Sequence, residues 1–137
     1  MLRRALGIAA GLGVAVCCVG VIEALSSRLY PLPPGIDYSD REAMGVAVAA
    51  LPVGAFIGVL LAWTLAAWAG ACTAVRVGRH AALGLIIGIV LLTAAVANML
   101  AIPHPAWLWA AAVLAIPAAT FAGMRMAAAA PSSPTEA

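Results

Sequence analysis

Long apolar runs alternate with short polar breaks along this chain, and the runs have membrane length. A helix that crosses the hydrocarbon core takes about 20 apolar residues. Arg3 and Arg4 precede such a run at about 5–25. Residues 26–40 then hold Pro31, Pro33, Pro34 and Gly35, which forbid regular helix and mark a loop. Ser39, Asp40, Arg41 and Glu42 form a capping-box pattern, in which the Ser39 hydroxyl takes the Glu42 N–H. A helix is therefore expected to start at Asp40. The apolar run that follows, at 43–75, is too long for one upright span and contains Pro52, which is expected to kink it. Residues 40–51 read as a helical lead-in and 52–75 as the second span.

The turn from Arg76 to His80 is short and basic, and 81–101 is the third span. Ile102-Pro103-His104-Pro105-Ala106-Trp107 is a proline-stiffened turn. The fourth span is expected at 107–124, bent at Pro117 and stopped by Arg125. Residues 127–137 are small and polar towards the end and read as a disordered tail. The fold class is all-α, an integral membrane four-helix bundle in one domain, 1–126.

Composition agrees with the pattern. Of the 137 residues, 66% are hydrophobic and 9% charged, with a mean hydropathy of +1.12. A soluble domain carries roughly a quarter charged residues, and a chain this short cannot hide so much apolar surface in its own core. All seven basic residues are Arg, which with the abundant Ala suggests a high-GC bacterial genome. A net charge of +2 without a basic, aromatic-interleaved patch excludes nucleic-acid binding. Cys17, Cys18 and Cys72 lie in apolar runs without metal or redox spacing and read as small hydrophobes. The basic start and apolar run also fit a cleaved signal peptide. However, Glu23-Ala24-Leu25-Ser26-Ser27 offers no small-residue cleavage site, and a retained helix is expected.

Orientation follows from Arg asymmetry. Arg3, Arg4, Arg76, Arg79 and Arg125 fall on one side, Arg28 and Arg41 on the other. Five against two places the first side in the cytoplasm, with both termini there. A bacterial inner membrane is the expected location.

Three faces of small residues are expected to pack helices. They are Ala9, Gly13, Val16 and Gly20 on the first span, Gly54 and Gly58 on the second, and Gly84 and Gly88 on the third. Such faces let helix backbones approach closely in lipid. Plain bundle packing accounts for them; homodimerisation is the sharper alternative.

Polar residues in a span are costly and are functional candidates by default. Glu23 closes the small-residue face of the first span, Asn98 that of the third, and His104 follows in the next turn. Glu23 stands nineteen positions after Arg4, about 28 Å along a helix axis, which puts all three at the outer level. The structural readings are a carboxylate at headgroup level or paired with Arg28, an interhelical Asn and an exposed turn His. A metal needs three or four ligands, and only Glu23 and His104, with Asp37 as a third at most, are on offer, so a metal site is not expected; no cofactor is expected. There is no Ser/His/Asp or Cys/His set and no phosphate-cradling loop, so an enzyme is not expected.

Val21-Ile22-Glu23-Ala24-Leu25, the Tyr30-Pro31-x-Pro33-Pro34-Gly35 loop, and Asn98 followed by Ile102-Pro103-His104-Pro105-Ala106-Trp107 resemble a family of small, functionally uncharacterised bacterial four-span proteins. The resemblance implies a fold and no activity. The leading expectation is a non-enzymatic accessory or structural membrane protein. Its partners would be the lipid bilayer and either a second copy or another membrane protein. The alternative is a small proton-coupled transporter or binding protein with an outward-facing polar site at Glu23, Asn98 and His104.

Overall fold

The computed structural model describes residues 1–37 and 39–129. Among the described residues there are five helices: α1 (Leu2–Leu29), α2 (Arg41–Ala49), α3 (Val53–Gly78), α4 (Ala82–Ala101) and α5 (Ala106–Ala129). All but α2 are long and apolar enough to cross a membrane. The protein is an all-helical bundle of four such helices, with the short α2 seated at one end through Met44 and Val48. α3 is its hub and packs against α1, α4 and α5; α1 also touches α4, and α4 packs on α5.

The core has three levels. Ala74, Leu83 and Ile87 fill the end that carries the α3–α4 turn. Trp63, Ala67, Ala95, Met99, Ala112 and Ile116 fill the middle. Met44 and Val48 of α2 close the other end against Phe56 and Leu108.

Helix ends follow local chemistry, and several differ from expectation. The capping box shifts by one residue. The Ser39 hydroxyl and backbone N–H both donate to Asp37 Oδ1, at 2.6 and 2.8 Å, and hold the Asp37 carboxyl below its ordinary range. Asp40 is the N-cap instead, and its Oδ1 accepts from the N–H groups of Glu42 and Ala43 at 2.9 and 3.2 Å. A carboxylate at this position also suits the helix dipole.

Pro52 breaks the chain rather than kinking one helix. It disfavours helical backbone at Leu51 and stands as the N-cap of α3. At the far end of α3, Arg79 adopts a left-handed conformation (φ 52°) and donates its N–H to Val75 O at 2.7 Å. That conformation costs a non-glycine residue about 1 kcal/mol. The His80 ring accepts the N–H of Ala82, the first residue of α4, at 3.3 Å.

Arg125 does not stop α5, which runs to Ala129. Its guanidinium lies 4.8 Å over the Phe121 ring, one turn back. A charge ends a hydrophobic crossing but not a helix, and Arg, Met and Ala are good helix formers. Of the tail expected at 127–137, residues 127–129 are thus helical, and the remainder lies outside the described residues.

The glycine faces need one correction. Ala9, Gly13, Val16 and Gly20 are exposed, and a Cβ at Gly13 or Gly20 would meet nothing within 4 Å. The face of α1 that packs is Gly7, Gly11 and Ala15. It meets Gly70, Ala74 and Gly78 of α3, which repeat at the same step of four. A Cβ at Gly7 would stand 2.8 Å from Ala74 O, and one at Gly11 2.7 Å from Gly70 O. Residues 7 and 9 point to nearly opposite sides of a helix, so α1 is turned about half a revolution from the expected orientation. Gly84 lies against Met124 and Val75, and Gly88 against Thr120.

Candidate functional site

A cleft of about 240 Å³ opens at the end of the bundle that carries α2. It is assembled from parts distant in sequence. α1 and its C-cap supply Glu23, Ser26, Ser27 and Tyr30. These positions follow a three-four-seven spacing, so one helical face carries them all. α3 supplies Phe56, Gly58 and Val59 as the floor. α4 supplies Asn98, and the turn after it supplies Ile102 and His104. Met44 and Val48 of α2 form the roof.

Two glycines make the room. Any side chain at Gly54 would collide with the Tyr30 hydroxyl, and a Cβ at Gly58 would stand 3.1 Å from Ser26 Oγ. Gly54 and Gly58 therefore receive the polar end of α1 and do not serve backbone contact. The roof is held by Arg41, whose Nη2 donates to Leu100 O at 2.6 Å, near the C-terminus of α4. A cation there satisfies a helix-terminal carbonyl and the negative end of the dipole.

Glu23, Asn98 and His104 line this one cleft together. Glu23 and Asn98 are exposed at its mouth, and His104 is half-buried. The His104 ring stands edge-on to Phe56, with centroids 6.1 Å apart, and 6.3 Å from Trp63. Phe56 is in turn edge-on to Trp107 at 6.5 Å. His104 Nδ1 lies 2.7 Å from Ile102 O. A carbonyl only accepts, so Nδ1 carries the hydrogen, and in the tautomer that makes this contact Nε2 is an acceptor. Arg28 does not line the cleft. It is five residues from Glu23, about 140° around the helix, and an ion pair needs a spacing of three or four.

Glu23 and Asn98 also line a second cleft, of about 270 Å³, which runs along the seam between α1 and α4. Its other walls are almost wholly apolar, with Val16, Val19, Leu91 and Ala95 among them and Trp63 behind. The two polar residues thus stand where an amphipathic chamber joins an apolar groove.

Ser26, Tyr30, Phe56 and Trp63 are missed by a search for costly polar residues within spans. The signal for the first two was present: both share the helical face of Glu23. Phe56 and Trp63 carry no signal that sets them apart from core aromatics. Among the described residues no three His, Cys, Asp or Glu side chains gather to hold a metal. Comparison of the chain with known protein families, curated proteins and solved structures gives no match.

Proposed function

We propose that the protein is a small non-enzymatic membrane protein that binds an amphipathic small molecule in the cleft at the α2 end. One observation carries this reading: Glu23, Asn98 and His104, spread over eighty residues of sequence, line a single chamber with an apolar floor and roof. Sites for small molecules are concave, mostly apolar and furnished with a few convergent polar groups. The Arg asymmetry supports a bacterial inner membrane with both termini in the cytoplasm, so the cleft opens outward. The test uses the full chain in maltoside micelles with decylamine, decanol and decanoate as probes. At least one should raise the thermal midpoint of the wild type and leave Val48→Trp, which fills the chamber from its roof, unmoved. If none of the three discriminates between these two proteins, the binding reading is wrong.

A second reading is favoured by the bare face of α1. Only 17% of the α1 span is buried, against 50% of α3, and no helix covers Gly13 or Gly20. Self-association, or docking on another membrane protein, would place a helix there. Crosslinking of the wild type into dimers that Gly13→Leu and Gly20→Leu abolish supports it; a monomer at all protein-to-lipid ratios removes self-association.

A further inference from the structure

We infer that the chamber and the α1–α4 seam are the head and tail subsites of one ligand, an amphiphile with a single ammonium group. This rests on the binding reading above and adds the charge and the placement of the ligand.

The charge follows from the lining. Glu23 is the one carboxylate among the residues that line the chamber, and no Arg is among them. Arg41, at the start of the helix that forms the roof, is engaged by Leu100 O. The neutral groups add acceptors. Ser27 Oγ donates its hydrogen to Ala24 O at 3.0 Å, which leaves its lone pairs free. His104 spends its N–H on Ile102 O and presents Nε2. A site with one negative charge and several acceptors matches a group with one positive charge and several donors. An ammonium has both; a carboxylate or phosphate has neither. Phe56 and Tyr30 add aromatic walls that suit a cation.

The placement follows from the second cleft. Glu23 and Asn98 belong to both clefts, so a head group held by them leaves an attached chain at the entrance of the seam. The seam walls are apolar, and the flanking helix is the least buried of the four. An acyl or alkyl chain can enter sideways from the bilayer, while the head reaches the chamber at headgroup level. A membrane lipid with an amine head group and a free long-chain amine share this chemistry.

Trp63 lines the seam and provides the readout. The full chain in maltoside micelles is titrated with 10-bromodecylamine and with 10-bromodecanol, whose bromine quenches a neighbouring indole. The amine should quench Trp63 fluorescence, an effect missing in Trp63→Phe, with an apparent Kd at least tenfold below that of the alcohol. Glu23→Gln should erase the tenfold preference and Glu23→Asp should keep it, which separates loss of charge from loss of fold. Comparison between variants cancels partition into the micelle. Equal quenching by amine and alcohol, or a preference that survives Glu23→Gln, overturns the ammonium assignment while the binding reading stands. Quenching that persists in Trp63→Phe overturns the placement in the seam. Failure of the Val48→Trp test removes the binding reading itself. Added phosphatidylethanolamine that displaces bromodecylamine, where phosphatidylglycerol does not, identifies a lipid as the source of the ammonium. Absence of displacement identifies a free amine.

Discussion

At the scale of single residues, two neighbours compete for one helix start. Ser39 and Asp40 are both good N-caps, and the spacing to Glu42 favours Ser39 on pattern alone. The neighbouring carboxylate of Asp37 decides the matter by taking the Ser39 hydroxyl. Ser39 then organises the loop, and Asp40 receives the free N–H groups of α2. Asp40→Ala should destabilise α2 by about 1 kcal/mol, and Ser39→Ala by much less. Amide hydrogen exchange in α2 reads the difference. Equal acceleration in both variants would mean that Ser39 also caps. The same kind of local competition gives His104 its role. The Ile102 carbonyl takes one ring nitrogen, which settles what the other can offer to the chamber.

Helices in lipid meet through shape, since burial of apolar surface offers no gain there. α1 carries small residues on two sides, and each is a plausible interface in one dimension. Gly7, Gly11 and Ala15 win because α3 holds a matching stripe, Gly70, Ala74 and Gly78, at the same spacing. The backbones approach until a single added carbon would strike a carbonyl oxygen. Gly11→Leu should therefore lower the thermal midpoint in detergent sharply, as should Gly88→Leu, which drives into Thr120. Overpacking of this kind costs about 1–3 kcal/mol. Gly13→Leu and Ile89→Ala, on exposed faces, should leave it near the wild type. A midpoint that falls as far for Gly13→Leu as for Gly11→Leu would show that α1 is turned the other way. α2 illustrates the converse case. Nine residues are too few to form a stable helix alone. It persists because Met44 and Val48 seat on Phe56 and Leu108 and because Arg41 is tied to α4.

Across the whole molecule, the arrangement gives the bundle two unlike ends. One end holds the tight Arg76–His80 turn, and Arg3 reaches across to donate to Val77 O at 3.1 Å. The other holds the proline loop, α2, the chamber and the acids Asp37, Asp40 and Glu42. The Arg asymmetry supports the proposed orientation, with the chamber end outward. Single cysteines at Ser27 or Ser39, in a background freed of Cys17, Cys18 and Cys72, should react with an impermeant thiol reagent from outside intact cells. One at Ser132 should not. The opposite labelling pattern would place the chamber on the cytoplasmic side.

What the sequence alone determined was the number and order of the spans, the proline loop, the short helix before Pro52 and the three polar residues worth watching. These are one-dimensional properties: run length, breaker residues and the cost of polarity in lipid act on a segment wherever it later packs. The helix ends at Ser39 and Arg125 differ from expectation because a cap depends on which neighbour takes the hydrogen bond, and a charge halts a crossing without halting a helix. Only the tertiary structure decided the rotation of α1, since two small-residue faces are equivalent until α3 presents its complement. It alone drew Ser26, Tyr30, Phe56 and Trp63 in beside Glu23, Asn98 and His104, whose shared level follows from span direction, and opened the seam next to them. A cleft is made by side chains from helices that pass one another, and their mutual rotation is set by shape complementarity, which no single segment encodes.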